Sequence, residues 1–417
     1  MKKQISWIIA LFLCIFLSDI SGQYTWQKQE STVDANLIAT SFIDTLHGWI
    51  ATDDGTILFT SDAGQQWNAT AQLENITPTK IFFRNSQLGW LTGQYNQLID
   101  SAIIFRTTDG GSHWDPVFHR MFYKLNDLFF IDDTMGWVAG CQLTESDTLT
   151  LMMHSTDGGD HWTIPQSARI HQTRLYSIHF RDINYGQACG EDGAFFTTNN
   201  GGRNEISGWG MNIAIPSYGK DLYDIFNVGE NFGCAVGEGG FILITKDKWA
   251  NNLDYYTPSE DTLFAITGLP DGAHYWAAGK NGCIVSATYG FSILNIAEED
   301  RITTNDLHDI QAINDHHIWA VGDNGTILFY GLSTTGVRDN FNFSQIQIYP
   351  NPANDFVCIK FSDNMEKKIQ LLTTDGRILF SKLKPEGKRE MILNISNLPW
   401  GIYLLKTDNK YQKLIIK

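Results

Sequence analysis

The sequence predicts an all-β protein: a seven-bladed β-propeller closed by its N-terminal strand, followed by a small β-sandwich domain. Aromatic residues make up 13% of the 417 residues and are accompanied by 37 glycines, which favours many short strands joined by tight turns. One eight-residue turn motif occurs three times, as TSDAGQQW, TTDGGSHW and STDGGDHW. A second motif, which contains a Gly-Trp pair in its best copies, occurs seven times.

The first 22 residues are predicted to be a signal peptide. Lys2 and Lys3 precede an apolar run at residues 7–17, which is too short to span a bilayer but suits a signal-peptide core. The small residues Ser21 and Gly22 favour cleavage near Gly22. No later segment has the length and apolar character of a membrane helix, so none is expected in the mature chain.

Charge divides the rest of the chain into two regions. Residues 23–340 carry 16 basic and 38 acidic side chains, whereas residues 341–417 carry 12 and 7. The acidic body argues against nucleic acid as a partner. The change in charge predicts a propeller at residues 23–337, a linker at 338–345 and a second domain at 346–417. Outside the predicted signal peptide, five widely spaced cysteines without a Cys-x-x-Cys pair predict neither a metal site nor a cofactor.

The seven copies of the second motif define the repeat. Successive copies are separated by 41, 47, 50, 47, 42 and 43 residues, a period typical of propeller blades with four strands each. Each copy follows an apolar segment, which we assign to the innermost strand, and the later copies precede a short turn ending in Gly, such as GEDG at 190–193 and GDNG at 322–325. The Trp position of the motif is occupied in chain order by Trp49, Trp90, Trp137, Gln187, Cys234, Trp276 and Trp319.

The three eight-residue turns are predicted to be structural, because a catalytic site needs its acid only once. In each turn, the Ser or Thr and the Asp can bond turn backbone groups, Gly permits the bend, and Trp begins the outer strand. Later repeats keep only relics, such as TTNNGGRN and TKDKW. The key residues of the three turns are Asp62, Gly64, Trp67, Asp109, Gly111, Trp114, Asp157, Gly159 and Trp162.

The two ends of the repeat region are predicted to pair. The seventh repeat stops at TILFYG, residues 326–331, with no outer strand after it. The predicted mature N-terminus offers YTWQKQ at residues 24–29, an outer-strand sequence with no blade before it. We therefore expect Trp26 and its neighbours to lie beside the segment around Leu328, which would leave no unpaired edge.

Residues 23–337 resemble the photosystem II stability/assembly-factor-like propellers of the Asp-box, or bacterial neuraminidase repeat, superfamily. The resemblance rests on FIDTLHGW at 42–49, FIDDTMGW at 130–137 and the three turn motifs, which correspond to Asp-boxes. It implies the fold but is weak evidence for function, because one fold supports many functions. The photosystem role of the family namesake is not carried over.

The last 72 residues resemble the type A sorting domain of the type IX secretion system. The matching features are YPNPA at 349–353, DGR at 375–377, LPWGIYLL at 398–405 and the closing KLIIK. Alternating strands and DG or LPWG turns indicate a β-sandwich. The resemblance implies that residues 346–417 engage the secretion machinery. It also implies that the protein is secreted or displayed at the outer-membrane surface.

We expect no enzymatic activity, because no catalytic constellation is recognised. The Asp-box superfamily includes sialidases, but their Arg-Ile-Pro signature and arginine triad are absent here. A metalloprotease motif, a nucleophile elbow and a phosphate loop are absent as well. A carbohydrate-active enzyme, either a glycoside hydrolase or sialidase-like, remains the alternative. Alignment of the innermost strands predicts that Lys80, Asp127, Asp224 and Asp309 line the central channel.

The preferred interpretation is a secreted or surface-bound binding propeller whose ligand is a protein or a glycan. Long connections in the second and third repeats are predicted to emerge on the face opposite the Asp-boxes. They combine cationic and aromatic side chains, which suit protein anchors or glycan stacking. The predicted patch consists of Phe118, His119, Arg120, Phe122, Tyr123, Arg169, His171 and Arg174.

Overall fold

The chain divides into two compact units, Met1–Ser333 and Thr334–Lys417, in a computed structural model. The predicted signal peptide and the predicted linker lie outside the described residues. Within these residues, no helix has the length and apolar character needed to cross a membrane. The described residues are 24–96, 100–166, 171–204, 208–211, 219–228, 231–290, 293–332, 346–349, 351–361, 367–373, 378–385, 387–396, 398–399, 401–407 and 410–416.

The first unit is built from antiparallel sheets in which strands adjacent in sequence pair. We number the sheets by the order of their innermost strands. Its strands are β1 (Tyr24–Gln29), β2 (Leu37–Phe42), β3 (Gly48–Thr52), β4 (Thr56–Thr60), β5 (Asn68–Gln72), β6 (Ile76–Phe83), β7 (Gly89–Tyr95), β8 (Ser101–Thr107), β9 (Asp115–Met121), β10 (Tyr123–Phe130), β11 (Gly136–Leu143), β12 (Thr148–Ser155), β13 (Leu175–Phe180), β14 (Gly186–Gly190), β15 (Phe195–Thr198), β16 (Gly210–Met211), β17 (Leu222–Val228), β18 (Phe232–Gly237), β19 (Phe241–Thr245), β20 (Asn252–Tyr256), β21 (Leu263–Gly268), β22 (His274–Gly279), β23 (Ile284–Gly290), β24 (Ile293–Glu298), β25 (Leu307–Asn314), β26 (His317–Gly322) and β27 (Thr326–Leu332).

Seven sheets are formed by the described part of this unit. Sheet 1 contains β2–β5, sheet 2 β6–β9, sheet 3 β10–β12, sheet 4 β13–β16, sheet 5 β17–β20 and sheet 6 β21–β24. Sheet 7 contains β25–β27 together with β1. Innermost strands of successive sheets contact each other, and β2 also contacts β25. In sheet 3 the outer strand is reduced to a bridge between His154 and Thr163, since Pro165 lacks the N–H needed to extend the ladder.

The second unit contains two antiparallel sheets around one apolar core. Val357, Ile369, Leu405 and Leu414 are buried in this core. One sheet has the order β28-β29-β32 and the other β31-β30-β33-β34. The strands are β28 (Ile346–Tyr349), β29 (Phe356–Phe361), β30 (Lys367–Thr373), β31 (Ile378–Lys384), β32 (Glu390–Asn394), β33 (Gly401–Thr407) and β34 (Lys410–Ile416).

An aromatic stack joins neighbouring sheets of the first unit. The Trp of the Gly-Trp motif lies flat on a Phe at the end of the innermost strand of the next sheet. Face-to-face contact of buried rings adds about 0.5–1.5 kcal/mol to the free energy of hydrophobic burial. The centroid distances are 3.7 Å for Trp49–Phe83, 3.6 Å for Trp90–Phe130, 3.6 Å for Trp137–Phe180 and 3.8 Å for Trp319–Phe42.

The Gly of the Gly-Trp motif makes room for the same Phe. Gly136 lies directly beneath the ring of Phe130, and a Cβ at this position would overlap the ring. Gly48, Gly89 and Gly186 have the same relation to the Phe of their own sheets. The motif therefore needs Gly because the ring occupies the place of a side chain.

The three eight-residue turns have the hydrogen bonds that the sequence suggests. Thr107 Oγ1 donates to Asp109 Oδ1 at 2.9 Å and accepts a bond from the Gly111 N–H at 2.9 Å. The turns at Asp62 and Asp157 repeat this arrangement. The relic turns at Thr198 and Thr245 also repeat the hydroxyl contact. The residues called relics thus preserve the turn without its full sequence.

The eight-residue turns also connect neighbouring sheets. The indole N–H of Trp49 donates to Gly110 O at 2.9 Å, and that of Trp90 donates to Gly158 O at 2.8 Å. The box Trp of each sheet then meets the stacked Phe edge-on, as Trp114 does with Phe83 at 5.8 Å. The boxes are thus part of the contact between sheets, as expected for a structural motif.

The N-terminal strand pairs with the last strand of the repeat region. β1 is antiparallel to β27, with Trp26 opposite Tyr330 and Lys28 opposite Leu328. The predicted pairing of these two segments is therefore present in the structure.

A glycine substitution tests the packing beneath Phe130. Gly136→Ala is expected to lower the free energy of unfolding by roughly 1–3 kcal/mol, because the new methyl group overlaps the ring. Urea denaturation of the full chain, followed by Trp fluorescence, measures this loss. Gly210→Ala is the matched control, since no heavy atom lies within 4 Å of its Cβ position. Equal stability of the two variants would contradict the packing argument.

Candidate functional site

The predicted channel residues line a cavity of about 340 Å³ between the innermost strands. Lys80, Asp127, Asp224 and Asp309 all border it, together with Ser177. The Lys80 Nζ lies 3.5 Å from Asp309 Oδ1, and 26% of the lysine side chain remains exposed to the cavity. The innermost strands therefore bring these residues together, but their functional role stays a prediction.

Each of the three carboxylates binds backbone N–H groups of two neighbouring sheets. Asp127 accepts bonds from Leu128 N and Ile178 N, both at 2.8 Å. Asp224 accepts in the same way from Ile225 and Ile266, and Asp309 from Ile310 and Thr40. The pairing register shifts just before each Asp, which turns its carboxylate toward the next sheet. The three carboxylates therefore hold neighbouring sheets together.

A shared proton is expected between Asp127 and Asp224. The Ser177 hydroxyl lies 2.9 Å from Asp127 Oδ2 and 2.6 Å from Asp224 Oδ1, but its single proton can serve only one contact. Burial raises the pKa of Asp224 to about 7, although Lys80 opposes this increase. Burial raises the pKa of Asp127 as well. A protonated Asp224 can donate to Ser177, which then donates to Asp127.

The basic groups beside the cavity have opposite pKa shifts. Burial lowers the pKa of Lys80, but the attraction of Asp309, Asp127 and Asp224 outweighs it and raises the net value. Burial, with a smaller contribution from Lys80, lowers the pKa of His179 to about 4. At neutral pH the cavity thus contains a charged lysine and an uncharged imidazole.

The mouth of the cavity has an aromatic side that sequence reasoning missed. Phe82, Phe129, His179 and Phe226 form a continuous arc with centroid distances of 5.8, 4.7 and 5.0 Å. They lie two residues after the predicted channel positions in each strand, which is the spacing of side chains on one face. The two-residue period of a strand could therefore have identified these aromatic side chains from the sequence. On the opposite side, Ser41, Thr267 and Gln311 bond the backbone of the next sheet.

The predicted surface patch contains an exposed apolar corner between β9 and β10. Met121 is 51% exposed and Phe122 is 54% exposed. Phe122 has a φ of 63°, a conformation that aromatic residues rarely adopt. Arg120 lies next to it, with its guanidinium 5.6 Å from the Phe118 ring. This corner offers apolar surface and positive charge together.

The other predicted patch residues are placed differently. Tyr123 is only 9% exposed because it packs with Trp90 in the core, so it does not contribute to the surface. His119 bonds Ser101 Oγ at 2.6 Å. His171 meets Phe196 edge-on at 4.9 Å, and Arg174 lies 3.7 Å from Glu191. Arg169 lies outside the described residues. None of the described contacts joins His171 or Arg174 to the corner at Phe122.

No group of three or more His, Cys, Asp or Glu side chains in the described part of the chain is arranged to hold a metal ion.

Two regions of the chain match known families. Residues 347–417 match the family described as secretion system C-terminal sorting domain. Residues 19–121 match the photosynthesis system II assembly factor YCF48 family. The resemblance predicted from the sequence is confirmed. The chain combines a YCF48-like region with a type IX sorting domain. No curated protein sequence matches the chain.

Three solved structures illustrate what the fold of this chain is similar to. A structure of YCF48 bound to D1 peptide is 17% identical, with a TM-score of 0.58, and covers 75% of this chain and 98% of its own. YCF48 from Cyanidioschyzon merolae is 16% identical, with a TM-score of 0.54 and coverage of 73% and 98%. The WD40 β-propeller domain of Doa1 is 12% identical, with a TM-score of 0.53 and coverage of 75% and 99%. These similarities confirm the all-β, propeller-like fold class.

The raised pKa of Asp224 predicts a pH dependence of stability. Its folded-state pKa of about 7 lies above the ordinary value of 3.8, so the folded chain keeps a proton that the unfolded chain releases. The stabilising contribution is complete below pH 4 and is lost as the pH rises through 7. We expect Asp224→Asn to reduce the slope of stability against pH between pH 5 and 8, as measured by thermal unfolding at several pH values.

The Asn variant also loses a hydrogen bond to Ile225 or Ile266, because its NH₂ group cannot accept from a backbone N–H. This loss lowers its stability by an amount that does not depend on pH. The slope, rather than the midpoint, is the informative quantity. Identical slopes for the two proteins would contradict the assignment of the proton to Asp224.

Proposed function

We propose that the seven sheets are the blades of a closed propeller and that the mature chain is an exported binding or scaffold protein. The β1–β27 pairing supports closure. Two further contacts of β1 add to this support: Tyr24 stacks on His316 of sheet 7 at 3.8 Å, and Gln29 donates to Ala63 O of sheet 1 at 2.8 Å. In the proposed domain organisation, residues 1–22 form the signal peptide, 23–337 the propeller, 338–345 the linker and 346–417 the sorting domain.

The sorting domain indicates secretion to the cell surface or outer membrane. We propose that the signal peptide, cleaved near Gly22, directs passage across the inner membrane. Recognition of residues 346–417 by the type IX machinery then directs passage across the outer membrane. The propeller would thus meet its partner outside the cell, where surface proteins and glycans are the available ligand classes.

The exposed corner at Phe122 carries the proposal of a binding role. A non-glycine residue at a φ of 63° costs about 1–3 kcal/mol. Burial of the ring does not compensate for this cost, since 54% of the side chain is exposed. An aromatic ring held in a strained conformation beside Met121 and Arg120 suits an anchor for a partner. The D1 peptide bound to one YCF48 structure makes a protein segment a reasonable ligand class.

The carbohydrate-active enzyme remains a second candidate because Asp224 and Asp127 both have raised pKa values in one cavity. A pair of carboxyl groups with one kept protonated is the usual requirement for glycoside hydrolysis. However, both carboxylates already accept backbone N–H bonds that hold the sheets together. This use of their oxygens favours the binding protein.

A cross-link tests ring closure. Tyr24 lies opposite Leu332, and both side chains are exposed. We expect Tyr24→Cys/Leu332→Cys to form a disulfide, because directly opposed residues of antiparallel strands have suitable separations. Non-reducing gel mobility and thiol titration of the full chain measure its formation. The control pairs Tyr24→Cys with Leu253→Cys in sheet 5. Equal cross-linking in both variants, or none in the first, would contradict closure.

Replacement of Phe122 tests the binding surface. Phe122→Gly removes the ring and relieves the strained backbone. We therefore expect stability to stay the same or rise by about 1 kcal/mol. Affinity for the partner is expected to fall at least tenfold. Capture from the native outer surface identifies the partner, and titration of the purified partner against both proteins measures the change.

Leu253→Ala is the control for this experiment, since it removes an apolar side chain of 42% exposure from sheet 5. Equal loss in both variants, or none with Phe122→Gly, would refute the proposed surface. Turnover of a glycan that requires Asp127 or Asp224, without partner capture, would favour the enzyme instead.

A further inference from the structure

The junction between sheets 4 and 5 departs from the aromatic packing described above. Gln187 occupies the Trp position of the motif, and Asn227 occupies the position where other sheets present the stacked Phe. Both side chains are 7% exposed. At the following junction, the ring of Tyr275 fills the space over Gly268. At sheets 4 and 5 a polar pair remains, and it borders a cavity of about 550 Å³.

The amide of Asn227 leaves a buried donor without a partner. Asn227 Oδ1 accepts a hydrogen bond from Trp249 Nε1 at 2.9 Å, whereas its Nδ2 has no partner among the described residues. The indole nitrogen can only donate, so rotating the amide would set two donors against each other. The NH₂ group is therefore the unbonded end of this buried amide, and Asn227 is one of the residues that line the cavity. A buried donor of this kind needs an acceptor.

Two cationic side chains converge on the same cavity. The guanidinium of Arg181 lies 4.4 Å from the centroid of the Tyr185 ring, and Lys248 Nζ lies 5.7 Å from it. Arg181 is partly neutralised by Asp182 at 3.0 Å. Lys248 is exposed and forms no ion pair within the described ranges. The cavity thus offers positive charge at its rim and an amide donor at its wall.

The backbone at this junction is also unusual. Lys248 and Trp249 have φ values of 63° and 66°, at turn positions where the box of sheet 2 has Gly110 and Gly111. The side chains of Asn227 and Trp249 together cover Gly233, in place of the single Phe ring that covers the corresponding Gly in sheets 1–4. These departures from the repeat adjoin one another. Trp249, at a turn position with a positive φ, donates a hydrogen bond to Asn227, which replaces the stacked Phe.

We propose that the cavity between sheets 4 and 5 binds a carboxylated sugar, a uronate unit of an acidic polysaccharide. Its carboxylate accepts from Asn227 Nδ2 and pairs with Lys248, while its hydroxyl groups meet the amide of Gln187 and the hydroxyl of Thr197. Neutral polar groups dominate the lining, which matches a ring with several hydroxyls better than a bare anion. The volume suits a small ligand of this kind.

Titration of the mature full chain with glucuronate and digalacturonate tests this site by calorimetry. We expect saturable binding at least tenfold tighter than for glucose or for acetyl-alanine, which supplies a peptide-like carboxylate. No saturable binding of either uronate would overturn the proposal, and so would equal affinity for glucose. Tighter binding of acetyl-alanine would overturn the assignment to a sugar.

Two variants locate the site. Asn227→Asp keeps the acceptor for Trp249 but places a carboxylate against that of the ligand, so we expect affinity to fall at least tenfold. Gln187→Trp/Asn227→Phe restores the aromatic pair and fills the cavity, so binding should be lost while the fold is retained. Asn295→Asp, at an exposed position in sheet 6, is the matched control.

Lys248→Ala keeps the test decisive if a core variant fails to fold, because Lys248 is exposed. We expect three- to tenfold weaker uronate binding and unchanged glucose binding from this variant. Unchanged uronate affinity in Lys248→Ala, or in a folded aromatic-pair variant, would place any binding elsewhere and refute the site. These outcomes are independent of the surface at Phe122.

Discussion

The packing of one phenylalanine ring between a glycine and a tryptophan determines the arrangement of the first unit. Phe130 covers Gly136 of its own sheet and stacks at 3.6 Å on Trp90 of the preceding sheet. Its edge meets the box residue Trp162 at 5.9 Å. Because the ring touches three different segments, a change in any of them alters the spacing between sheets. Repetition of this contact at the junctions from sheet 7 through sheet 1 to sheet 4 gives these sheets a common separation.

A fixed separation has consequences at the axis. Innermost strands of different sheets are too far apart to pair with each other, so their inward N–H groups need side-chain acceptors. Asp127, Asp224 and Asp309 supply such acceptors. The hydroxyl groups of Ser41 and Thr267 accept from the backbone of the next sheet in the same way. Most polar chemistry of the cavity is therefore used by the fold. Binding functions are then expected at exposed corners and at the junction where Gln187 and Asn227 replace the aromatic pair.

The fold could be predicted in detail because its signals are local and repeated. Gly, Trp and Asp at fixed spacing revealed the strands, the turns and the pairing of the two ends. The site was less predictable, since it depends on which side chains meet across sheets. Tyr123 was predicted to lie on the surface because it belongs to a long connection between two predicted strands. In the structure it is the first residue of β10, and the alternation of side chains along this strand places it in the core. The orphaned amide of Asn227 leaves no signal in the sequence beyond an absent Phe.

The pairing of β1 with β27 joins the first and the last strand of the first unit. Gln27 and Gly331 are bonded across 304 residues, and closing a loop of that length costs about 5 kcal/mol in chain entropy. Such a pairing forms late during folding. Until then β27 has a bare edge, onto which the β1 segment of another molecule can dock just as well. Strand exchange between copies is thus the characteristic misassembly of this architecture at high concentration.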